Sequence, residues 1–160
     1  MEIRKIKRNE IPDACRLSHM VYEMAIRRNR PADEQTHKFF YEYMTEENIS
    51  SCCDSGELII WAAFDKRFMA AVCAMTKSGH ITMLYVHPHF LRRRIAKKLV
   101  TKARICAKME LGLDMVTVNA MPPETAGYFR RIGFTDINQY TAPDALFIPC
   151  LLYTSPSPRD

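Results

Sequence analysis

Apolar and charged side chains alternate over EIRKIK (2–7), the period of a strand with one buried face. The period then lengthens to that of a helix. Ala14, Leu17, Val21, Met24 and Ala25 recur on one side, with Asn9 as a candidate cap, Pro12 in the first turn and an end near Arg28. Pro31 interrupts the chain. Thr36 is placed to cap a second helix carrying Phe39, Phe40, Tyr43 and Met44, and Thr45-Glu46-Glu47 to open a short third one closed by Gly56. Such helical aromatics belong chiefly in a core, with some available to rim a pocket. ELIIWAAF (57–64), the turn Asp65-Lys66-Arg67 and FMAAVCAM (68–75) predict a hairpin. After Lys77-Ser78-Gly79 comes the strand HITMLYV (80–86), followed by an amphipathic helix with Ile95, Leu99, Ala103 and Cys106 on one face. MVTVNA (115–120) is a further strand, Pro122-Pro123 suits the start of a last helix, and Gly133 suits its left-handed end. TDINQY (135–140) and ALFI (145–148) predict one more strand and the beginning of another.

Composition narrows this little: 160 residues, 48% hydrophobic and 26% charged, fit one globular domain. No apolar run is long enough to cross a bilayer, and MEIRKIKR lacks the apolar segment of a signal peptide, which predicts a cytoplasmic protein with no membrane partner. The six cysteines are scattered, with no C-x-x-C and no Cys/His spacing of a zinc site, and predict reduced thiols and no metal. CLLYTSPSPRD (150–160) breaks the preceding pattern. It back-translates to a transposase-type sequencing adapter read in frame, where a disordered Ser/Pro tail would explain only its composition. The expected native domain is therefore 1–149, with its last strand truncated.

The net charge of +5 matters through its location, because Arg92, Arg93, Arg94, Lys97 and Lys98 crowd one stretch. There LYVHPHFLRRRIAKKL reads as a strand, a Val-His-Pro turn, a short loop and a helix. The first-turn amides of a helix lack partners within it, and with the macrodipole they form an anion site suited to a phosphate. The loop nevertheless contains no glycine, the residue that allows closest approach to a backbone.

Together with the element order, LYVHPHFLRRRIAKKL, the following VTVNA and then YFRRIGF resemble the GNAT superfamily of acetyl-CoA-dependent N-acetyltransferases over residues 1 to about 148. The resemblance implies an α+β fold of three layers with a mixed, mostly antiparallel sheet. The implied order is β-α-α-β-β-β-α-β-α-β, with a further, truncated strand. It implies acetyl transfer from acetyl-CoA to an amine of a small molecule or peptide, with no metal. The family's Q/R-x-x-G-x-G/A loop, aligned on Val86 and Pro88, falls on Leu91, Arg92, Arg93, Arg94, Ile95 and Ala96. Ala96 matches its small final position. Leu91 and Arg94 depart from the pattern, and Arg94 stands where the first glycine would be; it swings outward to support the phosphates, blocks them, or is a glycine codon misread by one base.

The same resemblance places the pantetheine arm between HITMLYV and MVTVNA, against the backbone of Leu84, Tyr85 and Val86. A frequent base position, six residues before the valine, is His80, whose imidazole titrates near ~6.5 when unperturbed. Thr82, two residues on, is placed to position a water or the amine. Asn119 matches an asparagine that holds cofactor or substrate. The position of the family's tyrosine acid is Phe129, with Tyr128 one residue earlier and turned by about 100° around the helix.

Two other function classes remain open from the sequence. One is a cofactor-binding pseudoenzyme with Arg94 obstructing the loop. The other, ranked below because the basic helix lacks aromatic or amide readers nearby, is a nucleic-acid-binding module. An exposed, incomplete sheet edge predicts self-association as a homodimer.

Overall fold

Residues 1–31, 33–137, 145 and 147–155 are described by a computed structural model of the chain. The first strand, β1 (Glu2–Lys5), stops short of Lys7. There the Glu10 carboxylate accepts the Lys7 amide at 2.6 Å and draws the chain into a 3₁₀ turn, Arg8–Glu10. Asn9 is therefore inside that turn and does not cap a helix. α1 (Ile11–Tyr22) holds Pro12 in its first turn and runs into a π-helical turn, Glu23–Arg27. α2 (Glu34–Tyr43) starts ahead of Thr36, with Asp33 at the cap position and Glu34 at the positive end of the helix dipole. α3 (Glu46–Asp54) is capped as expected, the Thr45 hydroxyl accepting the Asn48 amide at 3.1 Å.

The remaining elements are β2 (Leu58–Asp65), β3 (Phe68–Thr76), β4 (His80–Val86), α4 (Ile95–Met109), β5 (Met115–Ala120), α5 (Ala126–Arg131), β6 (Thr135–Asp136) and β7 (Ile148–Tyr153). The sheet order is β1-β2-β3-β4-β5-β7-β6. β4 and β5 pair in parallel, and the other described pairs are antiparallel. The three-layer α+β fold expected from the sequence is the observed one. The central strands read as unbroken apolar runs because both faces are covered. On β2, Ile60, Ala62 and Phe64 pack under α1–α3, while Trp61 and Ala63 pack under α4. Ala62, Ala63, Ala70, Ala71 and Ala74 are wholly buried at the sheet centre, where small side chains let α1 and α4 lie close.

One irregularity sets up the site. On β3, Ala74 faces Met83 of β4 and Met75 faces Ile81, so Thr82 is an extra residue without a partner on β3. Such a bulge bends a strand and re-aims its side chains. Ile81 packs in the core beneath α4, whereas Met83 packs in the core beneath α1.

At the other end of the chain Gly133, at φ +114, closes α5 as expected, its amide donating to the Arg130 carbonyl at 3.1 Å. β6 is limited to Thr135–Asp136, and residues 138–140 of the expected TDINQY strand lie outside the described residues. β7 runs across the Pro149–Cys150 boundary and pairs with β5 from Ile148↔Ala120 to Tyr153↔Met115. Backbone pairing needs no particular side chain, and Cys150 and Leu152 supply buried apolar groups at alternate positions. All six cysteines are free thiols. No described helix is long and apolar enough to cross a membrane. Among the described residues no cluster of three His, Cys, Asp or Glu side chains could hold a metal ion.

Gly79 fixes the start of β4. Its φ is +90, a Cβ there would lie 3.0 Å from the Met115 carbonyl oxygen, and its own carbonyl accepts the Thr117 amide that begins the β4–β5 pairing. Gly79→Ala is expected to cost about 2–3 kcal/mol in urea unfolding, from left-handed strain plus a backbone clash. A cost below about 0.5 kcal/mol, the range of neutral surface changes, would contradict this geometry.

Candidate active site

β4 and β5 are in register only at His80↔Thr117 and Ile81↔Val118. Past Ile81 the strands separate. Between them opens a cleft of about 830 Å³, lined on β4 by Thr82, Leu84 and Tyr85 and across from them by Asn119 and Phe129. The bulge explains the divergence: Thr82 and Met83 both turn toward the α1–α3 layer, and the Tyr43 hydroxyl donates to Thr82 Oγ1 at 3.3 Å. Burial raises the pKa of the Tyr43 and Tyr85 phenols, so both stay protonated donors near neutrality.

The loop predicted to hold phosphate follows β4 through a 3₁₀ turn, Pro88–Phe90. Arg92 (φ 65) and Arg94 (φ 59) both adopt left-handed backbone, and Arg93 between them does not. This alternation turns successive amides toward one side, the arrangement of an anion-binding nest. Among the described residues, none of the amides from Arg92 to Lys97 donates to a protein acceptor; the first bond into α4 is Lys98 N–H to the Arg94 carbonyl at 3.1 Å. Arg94 thus follows the backbone path that glycine would take and keeps its side chain exposed. Ile95 and Ala96 are buried beneath it and anchor the helix start, while Leu91, Arg92 and Arg93 are exposed. Arg93 lies over the Phe90 ring, 5.1 Å from its centroid. A phosphate group fits the charge and donors of this loop.

His80 sits at the closed end of the splay, next to the cleft but not in its wall. Its Nδ1 is 2.7 Å from Thr117 Oγ1, and its backbone amide donates to Thr76 Oγ1 at 3.1 Å. Burial lowers the pKa of this half-buried imidazole, favouring the neutral form. Val86 lies beyond the cleft, at the turn into the loop. Tyr128, on α5, is 39% exposed and also outside the cleft, whereas Phe129 lines it. The structure therefore brings Thr82, Leu84, Tyr85, Asn119 and Phe129 together, with His80 behind them and Leu91–Ala96 along the chain from the open end of β4.

The cleft has a second wall that no motif revealed. Ile26, Asn29 and Arg30, from the π-helical turn and the residues after it, face Pro122, Glu124 and Thr125 beyond β5. The Arg28 amide donates to the Glu23 carbonyl, the longer bond of a π turn, and such turns are frequent at functional sites. RRNR (27–30) was the sequence signal, although as a charge run at a helix end it carried no specific chemistry.

Residues 27–146 match the family described as an acetyltransferase (GNAT) domain. No curated protein sequence matches the chain. Among solved structures, the N-acetyltransferase PaiA of Thermoplasma acidophilum, in complex with coenzyme A, superposes with a TM-score of 0.77. It is 14% identical over 95% of this chain and 98% of that one. A GCN5-related N-acetyltransferase from Rhodopseudomonas palustris gives 0.75 at 17% identity, over 95% and 94% of the two chains. An aminoglycoside 6'-N-acetyltransferase complexed with coenzyme A gives 0.71 at 13% identity, over 99% of each. At these identities the superpositions speak for the fold.

The left-handed conformation at Arg94 carries strain that glycine would not. Arg94→Gly is expected to raise stability by about 0.5–1 kcal/mol, and Arg94→Val, β-branched, to lower it by about 1–2 kcal/mol. Equilibrium urea unfolding of the three proteins checks the order; a less stable glycine variant would contradict it.

Proposed function

The chain belongs to the GNAT acetyltransferases, and on that premise we propose that it moves an acetyl group from acetyl-CoA to a primary amine by direct attack. The observation carrying this reading is the separation of β4 from β5, continued along the chain by a loop whose amides have no protein acceptor. Acetyl-CoA supplies the thioester, whose carbonyl carbon is the electrophile. The amides of Arg92–Lys97 hold its pyrophosphate, with Arg92, Arg93 and Arg94 adding charge. Backbone groups of Leu84, Tyr85 and Val86, left unpaired toward β5, hold the pantetheine arm and one donates to the oxyanion. Asn119 steadies the arm from the opposite strand.

A neutral amine must be generated from the bound ammonium. His80 accepts that proton through a water held at Thr82, a role that suits an imidazole kept neutral by burial. The C–N bond then forms and the C–S bond breaks. Phe129, at the position of the family's tyrosine, covers the reacting sulfur and excludes bulk water. With Tyr128 outside the cleft, the proton that the newly acylated nitrogen sheds reaches the departing thiolate through water at the open end, giving the amide and the free thiol.

Acetyl-CoA is expected to raise the melting temperature of both the parent chain and Arg94→Gly. Arg92→Gln combined with Arg93→Gln is expected to bind about tenfold more weakly, the effect of losing charge-assisted contacts. A shift confined to Arg94→Gly would mean a blocked loop, and no shift in any of them would overturn the reading.

Because burial places the His80 pKa below its ordinary ~6.5, the base form persists further into acid than in a free imidazole. kcat/KM should then rise with pH through a midpoint below 6.5 and level off above it. His80→Gln should remove that limb and lower the plateau by about a hundredfold. An unchanged profile in His80→Gln would assign the base elsewhere.

A further inference from the structure

The second wall of the cleft holds an ion pair that the transfer chemistry does not use. Arg30 Nη2 donates to Glu124 Oε1 at 2.8 Å, joining the segment after α1 to the turn after β5. The two partners are held very differently. The Arg30 side chain is only 26% exposed and its backbone is fixed at both ends: the amide donates to the Ile26 and Arg27 carbonyls, and the carbonyl is 2.6 Å from His37 Nε2. His37 is buried, and its Nδ1 is 2.6 Å from the hydroxyl of the buried Tyr22. The carbonyl can only accept, so Nε2 donates to it, and the Tyr22 hydroxyl holds the ring from its other side. Glu124, by contrast, is 72% exposed on a short turn, and among the described residues Arg30 is the partner of its carboxylate.

We propose that Arg30 is the specificity-determining residue of the acceptor half of the cleft and that it receives a carboxylate of the acceptor, which makes carboxylate-bearing small amines, amino acids as a class, the preferred substrates. Glu124 occupies that position in the absence of acceptor and is displaced from it. The pair uses one guanidinium nitrogen and one carboxylate oxygen, and a guanidinium has donors to grip an incoming carboxylate through two parallel bonds. Arg27, earlier on the same segment, is engaged with Glu23 and the Tyr41 hydroxyl, which leaves Arg30 as the cation of that segment that lines the cleft. Among the described residues that line the cleft, Arg30 and Glu124 are the charged pair, so a polycation would find that carboxylate already neutralised by Arg30.

This inference rests on the acetyl-transfer reading above, and its test separates the two. Coenzyme A release is followed with acceptors that differ only in the carboxylate: phenylalanine against 2-phenylethylamine, and lysine against cadaverine. The acid of each pair is expected to have a kcat/KM at least about tenfold higher, expressed in KM, the scale of a charged hydrogen bond. Arg30→Gln should collapse that ratio toward one while keeping the acetyl-CoA melting shift, Arg30→Lys should restore part of it, and Glu124→Gln should lower KM for the acids. A preference for the plain amines, or a ratio indifferent to Arg30→Gln, overturns the proposal and leaves the acetyltransferase reading intact. Should no amine be acetylated, calorimetric titration of phenylalanine and 2-phenylethylamine into the protein saturated with coenzyme A decides Arg30 alone. Tighter binding of the acid, lost in Arg30→Gln, supports its role, and equal binding overturns it.

Discussion

Thr82 has no partner on β3, and the neighbouring strands respond in opposite ways. β3 keeps its pairing with β4 on both sides of the bulge, while β5 follows β4 only as far as Ile81. A sheet buried on both faces normally satisfies its backbone groups by pairing. Here the unsatisfied edge lines a cleft, where a ligand or water can meet it. The bulge also exchanges the faces of β4, so that Met83 and Thr82 look toward α1 and α2 and the strand contributes to both cores. The cleft is thus a consequence of how the sheet is built, and the helices on either side hold it open.

The loop before α4 makes a complementary use of strain. Two arginines adopt left-handed backbone within a few residues, a conformation L side chains avoid, and the reward is a run of amides turned toward one side. Ile95 and Ala96, buried at the start of α4, are what hold that geometry in place. The side chains of Arg92, Arg93 and Arg94 are exposed and place positive charge at the start of α4. The departure from glycine adds a cost to the left-handed backbone at Arg94.

Much of the architecture could be read from the chain. HITMLYV and the helix from Ile95 have the predicted starts, Thr45 caps α3, and Gly133 ends α5, because each depends on local chemistry. Predictions failed at element boundaries, where neighbouring residues offered more than one start. Asn9 is an excellent cap by type, yet the Glu10 carboxylate reaches the Lys7 amide first. Thr36 lies inside α2, which begins at Glu34 with Asp33 at the cap position. The π-helical turn after Tyr22 continues an α-helical pattern without any breaker and leaves no trace in the periodicity.

The candidate site divides along the same line. Leu84, Tyr85, Asn119, Phe129 and the arginine loop could be named from sequence through the family resemblance carried by LYVHPHFLRRRIAKKL, VTVNA and YFRRIGF. The depth of the cleft, the retreat of His80 behind its closed end and the exclusion of Tyr128 depend on where β4 leaves β5 and on the rotation of α5. The Arg30–Glu124 pair joins residues 94 positions apart and could not have been inferred from either segment. Sequence by itself determined the elements and the basic charge at the start of α4, because backbone preference and periodicity act over a few residues. Tertiary structure alone decided which side chains share a cavity, because that is set by strand register and helix packing across the whole domain.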